Sequence, residues 1–171
     1  RSSLQVYLDK MQSMKPNETD AVKTIGDWLI KKTDTDSLQD MLAAVHLTLG
    51  KTYAGILNFE EAARYLTVAQ GIGEKNNFFT IQADVLNELG TIYDRNEQTE
   101  KAVSYYEKSL AISEKNNYQR GIAFAKYNLG RVQLERGSGS NTTLNSAVDL
   151  MLQGFGIVKK LGFQPYEPCY S

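Results

Sequence analysis

The sequence predicts an all-α solenoid of three to four antiparallel helical hairpins, and three observations carry that expectation. The pair Leu-Gly recurs at 49–50, 89–90 and 129–130, forty residues apart each time. Around each pair the apolar residues step by three and four, the period of a helix with one buried face. No alternating apolar and polar run of useful length occurs, so strands are not expected.

The elements follow in chain order as one domain over 1–171. Residues 1–36 form a divergent N-terminal helix pair: "DKMQSMKPNETDAVKTIGDWLIKKTD" lacks the Leu-Gly, and Pro16 separates its two helices. Trp28 on that amphipathic stretch is expected in the core. Residues 37–77 are the first repeat and 77–117 the second. On the forty-residue ruler Ala43, Ala83 and Ala123 coincide, Tyr53 matches Tyr93, Ala62 matches Ala102, and Ile72 matches Ile112. In the second repeat Ile81, Val85, Leu86, Leu89, Ile92 and Tyr93 share a face, and Ala102, Val103, Tyr106, Leu110 and Ile112 resume it after a break. The first helix of each hairpin is expected to end near residue 55, 95 or 135. The tetrad "EKNN" at 74–77 and 114–117 stops the second helix, because asparagine tolerates the left-handed backbone at a helix C-terminus.

Residues 118–163 are the third repeat, in which the ruler slips by five, so that Ala147 takes the place of Ala102. The slip falls in "RGSGSNTT", read as an enlarged loop over 137–143. Residues 164–171 form a non-helical tail, since Pro165 and Pro168 forbid a regular helix. The mid-helix glycines explain why such hairpins stack. A glycine there costs about 1 kcal/mol relative to alanine, and repeating it in register makes sense where another helix approaches closely. Ala62, Ala102 and Ala147 supply a small site on the second helix. One hairpin cannot bury its own apolar face, so neighbours stack into a continuous core.

Composition excludes several classes of function. Nineteen basic and twenty acidic residues give a net charge of −1, without the positive field of a nucleic-acid binder or a polybasic membrane anchor. No run of about 18 apolar residues is present to span a bilayer, and no signal-peptide core lies near the start. The expected setting is soluble, cytoplasmic or periplasmic. Because the chain opens at Arg1, it reads as a processed or trimmed piece. One cysteine, Cys169, makes neither an internal disulfide nor a structural zinc site. Asn17 and Asn141 match the glycosylation acceptor pattern, which chance also provides.

No catalytic activity, cofactor or metal is expected. His46, the only histidine, lies one helical turn before Gly50 on the packing side, the place of a core residue rather than a base. No metalloprotease, nucleophile-elbow or phosphate-loop motif occurs. "GSGS" at 137–140 lacks the strand and lysine that phosphate binding needs. Glu60-Glu61 and Asp34/Asp36 stand near helix starts, where carboxylates suit the positive dipole end.

The order Leu-Gly, Tyr, Ala in "LNELGTIYDRNEQTEKAVSYYEKSLAI" resembles the tetratricopeptide repeat, in the long-period variety of about forty residues seen in bacterial regulators and sensor proteins. The two repeats over 37–117 match well. The third departs from the pattern, with Gln133 in place of the tyrosine. The resemblance implies a right-handed superhelix whose concave wall is built from the first helix of each pair. By the family's register that wall offers Ala44, Leu47, Lys51 and Ala54. It continues with Asp84, Asn87, Thr91, Asp94 and Arg95, then with Phe124, Tyr127, Arg131, Leu134 and Glu135. Side-chain amides can hold the main chain of an extended peptide, and Lys or Arg a carboxylate. Phe124 and Tyr127 add apolar surface. The plainer account of the same residues is a solvated face. The implied function is a protein- or peptide-binding scaffold, the sensing or interaction part of a larger bacterial signalling protein. The alternative is a homo-oligomerisation module that uses the solenoid's end faces, including Phe155, and the tail with Tyr166.

Overall fold

A computed structural model of the chain describes residues 1–136 and 141–162. Among the described residues there is no strand, and eight α-helices follow one another. They are α1 (Ser2–Ser13), α2 (Thr19–Thr33), α3 (Gln39–Gly55), α4 (Phe59–Lys75), α5 (Phe79–Arg95), α6 (Thr99–Lys115), α7 (Gln119–Glu135) and α8 (Asn141–Lys160). Short 3-10 turns at Pro16–Glu18 and Asp36–Leu38 lead into α2 and α3. Each helix packs on its chain neighbours, and α3, α5 and α7 also touch in series. The result is the helical-repeat solenoid that the spacing of Leu-Gly predicts, with first helices ending at Gly55, Arg95 and Glu135.

The forty-residue period has a simple origin. Helices α3 to α7 each run 17 residues, and successive ones are joined by identical three-residue turns. In each turn the middle residue is left-handed: Leu57 (φ 62), Asn77 (φ 56), Glu97 (φ 58) and Asn117 (φ 54). The N–H of the following residue donates back to the helix, from Asn58 to the carbonyl of Tyr53 at 2.9 Å and from Phe78 to that of Gly73 at 2.8 Å. Gln98 and Tyr118 do the same to Tyr93 and Ser113, the closure of a Schellman motif. The asparagines of EKNN thus stop the second helices as their chemistry suggests. The intra-hairpin turns place Leu57 and Glu97 in the same conformation, where a Cβ costs about 1–2 kcal/mol. Because Leu57 is 63% exposed, it recovers little of that cost by burial. Leu57→Asn is expected to raise stability by about 1 kcal/mol, read as a higher denaturation midpoint, and no change or a fall refutes the account.

The core follows the apolar stripes. Leu8, Met11, Val22, Leu29, Met41, Val45, Leu49, Tyr65, Leu66 and Val85 form one cluster from α1 to α5, and Ala102, Tyr106, Leu129 and Val132 form a second. Ala62, Ala102 and Ala147 are fully buried, yet the residue one turn later presses hardest on the glycine in two of the three hairpins. A Cβ on Gly50 would lie 2.7 Å from Leu66, and one on Gly90 would lie 2.5 Å from the ring of Tyr106. In the last hairpin both backbone and side chain press, with the carbonyl oxygen of Ala147 at 2.5 Å from a Cβ on Gly130 and Met151 Cγ at 2.7 Å.

Two expectations need adjustment. Trp28 is not in the core: it is 40% exposed, with its ring 4.9 Å from that of Tyr7. The buried stripe of α2 is Val22, Gly26, Leu29 and Thr33, and Trp28 stands a residue off it, at an edge that Tyr7 covers. Residues 141–143, assigned to the enlarged loop, belong to α8, whose first residue is Asn141; residues 137–140 lie outside the described ones. Ser109 and Ser113 are fully buried, which the apolar pattern does not signal. Ser109 Oγ donates to the carbonyl of Ala83 at 2.8 Å, tying α6 to α5.

His46 lies in α3 against α4, its ring centroid 5.8 Å from that of Tyr65. Its Nδ1 is buried without a hydrogen-bond partner. Burial, and then the guanidinium of Arg64, hold its pKa below the ordinary value of 6.5. Arg64 is itself paired with Glu61 at 2.6 Å. As pH falls through about 6.5 the unfolded chain takes up a proton that the fold resists, so stability drops. Denaturation midpoints between about pH 7 and pH 5 are expected to fall more for the wild type than for His46→Gln; parallel curves refute this.

Candidate functional site

Helices α3, α5 and α7 lie side by side as one wall, with α5 between the other two. It carries the residues named from the sequence, but in unequal settings. Because the three helices touch, much of the wall is closed. Leu47 and Asn87, equivalent across the forty-residue period, are both 6% exposed. Tyr127, the third equivalent, is 39% exposed, with no described helix following α7 in this series, and Leu134 nearby is 40% exposed. Ala54 is buried, while Ala44, Asp84, Thr91 and Phe124 are half-buried.

The charges on this wall are already partnered. Lys51 of α3 reaches Glu88 of α5 at 3.5 Å. From the other side Arg131 of α7 pairs with Asp94 of α5 and, at 2.7 Å, with Glu135. Burial works against the charge of Arg131, and its hydrogen bonds to Asp94 and Glu135 more than offset that, so its pKa lies above the arginine range. Arg95 donates to the carbonyl of Ala54 at 2.9 Å, joining α5 to α3. The hydroxyl of Tyr118 donates to Asp84 at 3.1 and 3.2 Å from the two carboxylate oxygens. Burial and then that carboxylate push the Tyr118 pKa well up. Arg120 lies over the ring of Phe124 at 5.6 Å. These cations and anions brace one repeat against the next, and a carboxylate ligand would compete with Glu88, Asp94 and Glu135 for them.

Asn87 is different. Thr91 Oγ1 donates to its main-chain carbonyl at 3.1 Å, but both polar atoms of its side-chain amide are buried without a hydrogen-bond partner. A buried amide left unmatched costs about 1–3 kcal/mol. The first repeat fills the same seat with Leu47. Sequence register picks out Asn87; only the packing of α3, α5 and α7 shows that its amide is enclosed and unpaired.

Among the described residues no three His, Cys, Asp or Glu side chains gather as metal ligands. Burial, partly relieved by a hydrogen bond to Thr91, pushes the phenol of Tyr106 up to about 12, keeping it neutral beside the wall. No described helix is long and apolar enough to cross a membrane.

Comparison with known proteins agrees with the architecture. Residues 83–116, covering most of α5 and all of α6, match the model of the tetratricopeptide repeat family. No curated protein matches the chain. The matched hairpin, with the same turns and crossing glycines before and after it, makes this chain a tetratricopeptide-type repeat protein.

Proposed function

We propose that the chain binds an extended protein or peptide segment along the wall of α3, α5 and α7. Tetratricopeptide repeats serve generally as protein-interaction scaffolds and are typically not catalytic. The single observation that carries the finer reading is the Asn87 amide, buried and unpartnered in a seat where the first repeat has leucine. A peptide main chain supplies both the donor and the acceptor that this amide lacks. Tyr127 and Leu134 offer exposed apolar surface to the ligand's side chains, with Phe124 beside them. Lys51, Asp84, Thr91, Asp94, Arg95 and Arg131 frame the path. Since Lys51, Asp94 and Arg131 are already ion-paired within the wall, the favoured ligand is a main chain with apolar side chains rather than a free carboxylate. Occupation requires the side chains that close over Asn87 to give way. The forty-residue period points to the interaction part of a bacterial signalling protein.

Selection of peptides from a random display library by the full chain tests the reading. Enriched sequences are expected to carry apolar anchors, and their binding is expected to fail with Asn87→Leu and with Tyr127→Ala while both variants stay folded. A library without enrichment, or binders indifferent to both changes, overturns it.

A further inference from the structure

The outer flank of α8 has an apolar stripe with nothing described against it. Leu144, Val148, Leu152 and Phe155 are 48%, 39%, 61% and 47% exposed. They recur at four- and three-residue steps and so lie along one side of the helix. Allowing for the five-residue slip, Val148 and Phe155 are the counterparts of Val103 and Leu110 in α6. Those two are partly buried against the core that α6 shares with α7. The stripe therefore continues the inter-hairpin interface by which α4 meets α5 and α6 meets α7. Leu152 stands where α6 has the exposed Glu107. The internal repeats keep that position polar, as Thr67 in α4 and Glu107 in α6, while α8 makes it its most exposed leucine. A contiguous apolar patch of this kind, on the last described helix, marks an interaction surface.

We propose that this stripe pairs with the same stripe of a second copy, the two α8 helices running antiparallel about a two-fold axis at Leu152. A self-complementary contact of this type closes after two copies. The charges agree with it. The charged residues of α8 are Asp149, Lys159 and Lys160. Antiparallel pairing centred on Leu152 sets Lys159 of the partner subunit opposite Asn145, one helical turn from Asp149. No like charges meet across the axis. Leu144 to Phe155 covers about 16 Å of helix, and joining two such stripes removes on the order of 1,000 Å² from water, the lower edge of a specific interface. The dimer is therefore weak and concentration-dependent.

Sedimentation of the full chain from about 1 to 200 µM, the range suited to an interface of this size, is expected to show the apparent mass rising toward about two-fold. Leu152→Glu and Leu152→Lys are each expected to abolish that rise with the helical signal and thermal midpoint unchanged, because the side chain is exposed. Since residue 152 faces its own copy across the axis, mixing the two variants is expected to restore the dimer. A chain that stays monomeric at every concentration overturns the proposal, whether residues 163–171 or a helix of another protein covers the stripe. A dimer that survives both substitutions, or variants that fail to pair on mixing, overturns it as well.

Discussion

Gly130→Ala lowers the stability of this protein by about 1–3 kcal/mol, although alanine is the better helix former by about 1 kcal/mol. The reason is the closeness of α7 and α8. A Cβ on Gly130 would lie 2.5 Å from the carbonyl oxygen of Ala147 and 3.0 Å from the amide nitrogen of Met151. Backbone atoms cannot rotate out of the way as a side-chain end can, so the helices must separate. The crossing is tight from both sides, since a Cβ on Gly154 of α8 would lie 2.6 Å from the carbonyl oxygen of Ala123. Gly71 is the internal comparison. It stands within α4 with nothing inside 4 Å of the position of an added Cβ, so Gly71→Ala is expected to stabilise by about 0.5–1 kcal/mol. Urea denaturation of the two variants reads the difference directly. If both change stability in the same direction, close helix approach does not explain the glycines.

Asn87→Leu is the converse case, a substitution at the candidate site that strengthens the fold. The amide of Asn87 is buried with both polar atoms unpaired, and an unmatched buried group costs about 1–3 kcal/mol. Leucine is close in size and already occupies the equivalent seat as Leu47, at the same 6% exposure. The expected gain is about 1–3 kcal/mol, equivalent to a thermal midpoint higher by several degrees. The same variant is expected to lose peptide binding, because the leucine offers the ligand's main chain neither donor nor acceptor. Polar groups retained against stability in this way accompany function. A variant less stable than the wild type shows that the amide is satisfied in the folded protein, and the argument for Asn87 as a ligand-binding group then fails.

The repeat was legible because its causes are local. Helix length, turn chemistry and the apolar period are each written within some twenty consecutive residues, and Asn77 and Asn117 announce their left-handed turns by residue type. Leu57 and Glu97 adopt the same conformation without announcing it, because there the two flanking helices impose the turn. The candidate site was legible only as a set of positions. Register named Lys51, Asp94 and Arg131 as wall residues, but their pairing with Glu88 and with each other joins residues 37 apart in the chain. Such pairs depend on how one repeat is laid on the next. Trp28 misled for a related reason: an amphipathic stripe shows which residues face inward on average, not where a helix at the solenoid's end runs out of neighbours.

The sequence by itself determined the class of molecule, where the first helices of the three Leu-Gly hairpins end, and that Gly50, Gly90 and Gly130 mark crossings, since each rests on short-range periodicity. Only the tertiary structure decided that the charged wall residues are braces, that the Asn87 amide is enclosed without a partner, and that one flank of α8 has no described residue packed against it. Burial and pairing belong to surfaces that meet across repeats, and a side chain's own neighbours in the chain carry no record of them.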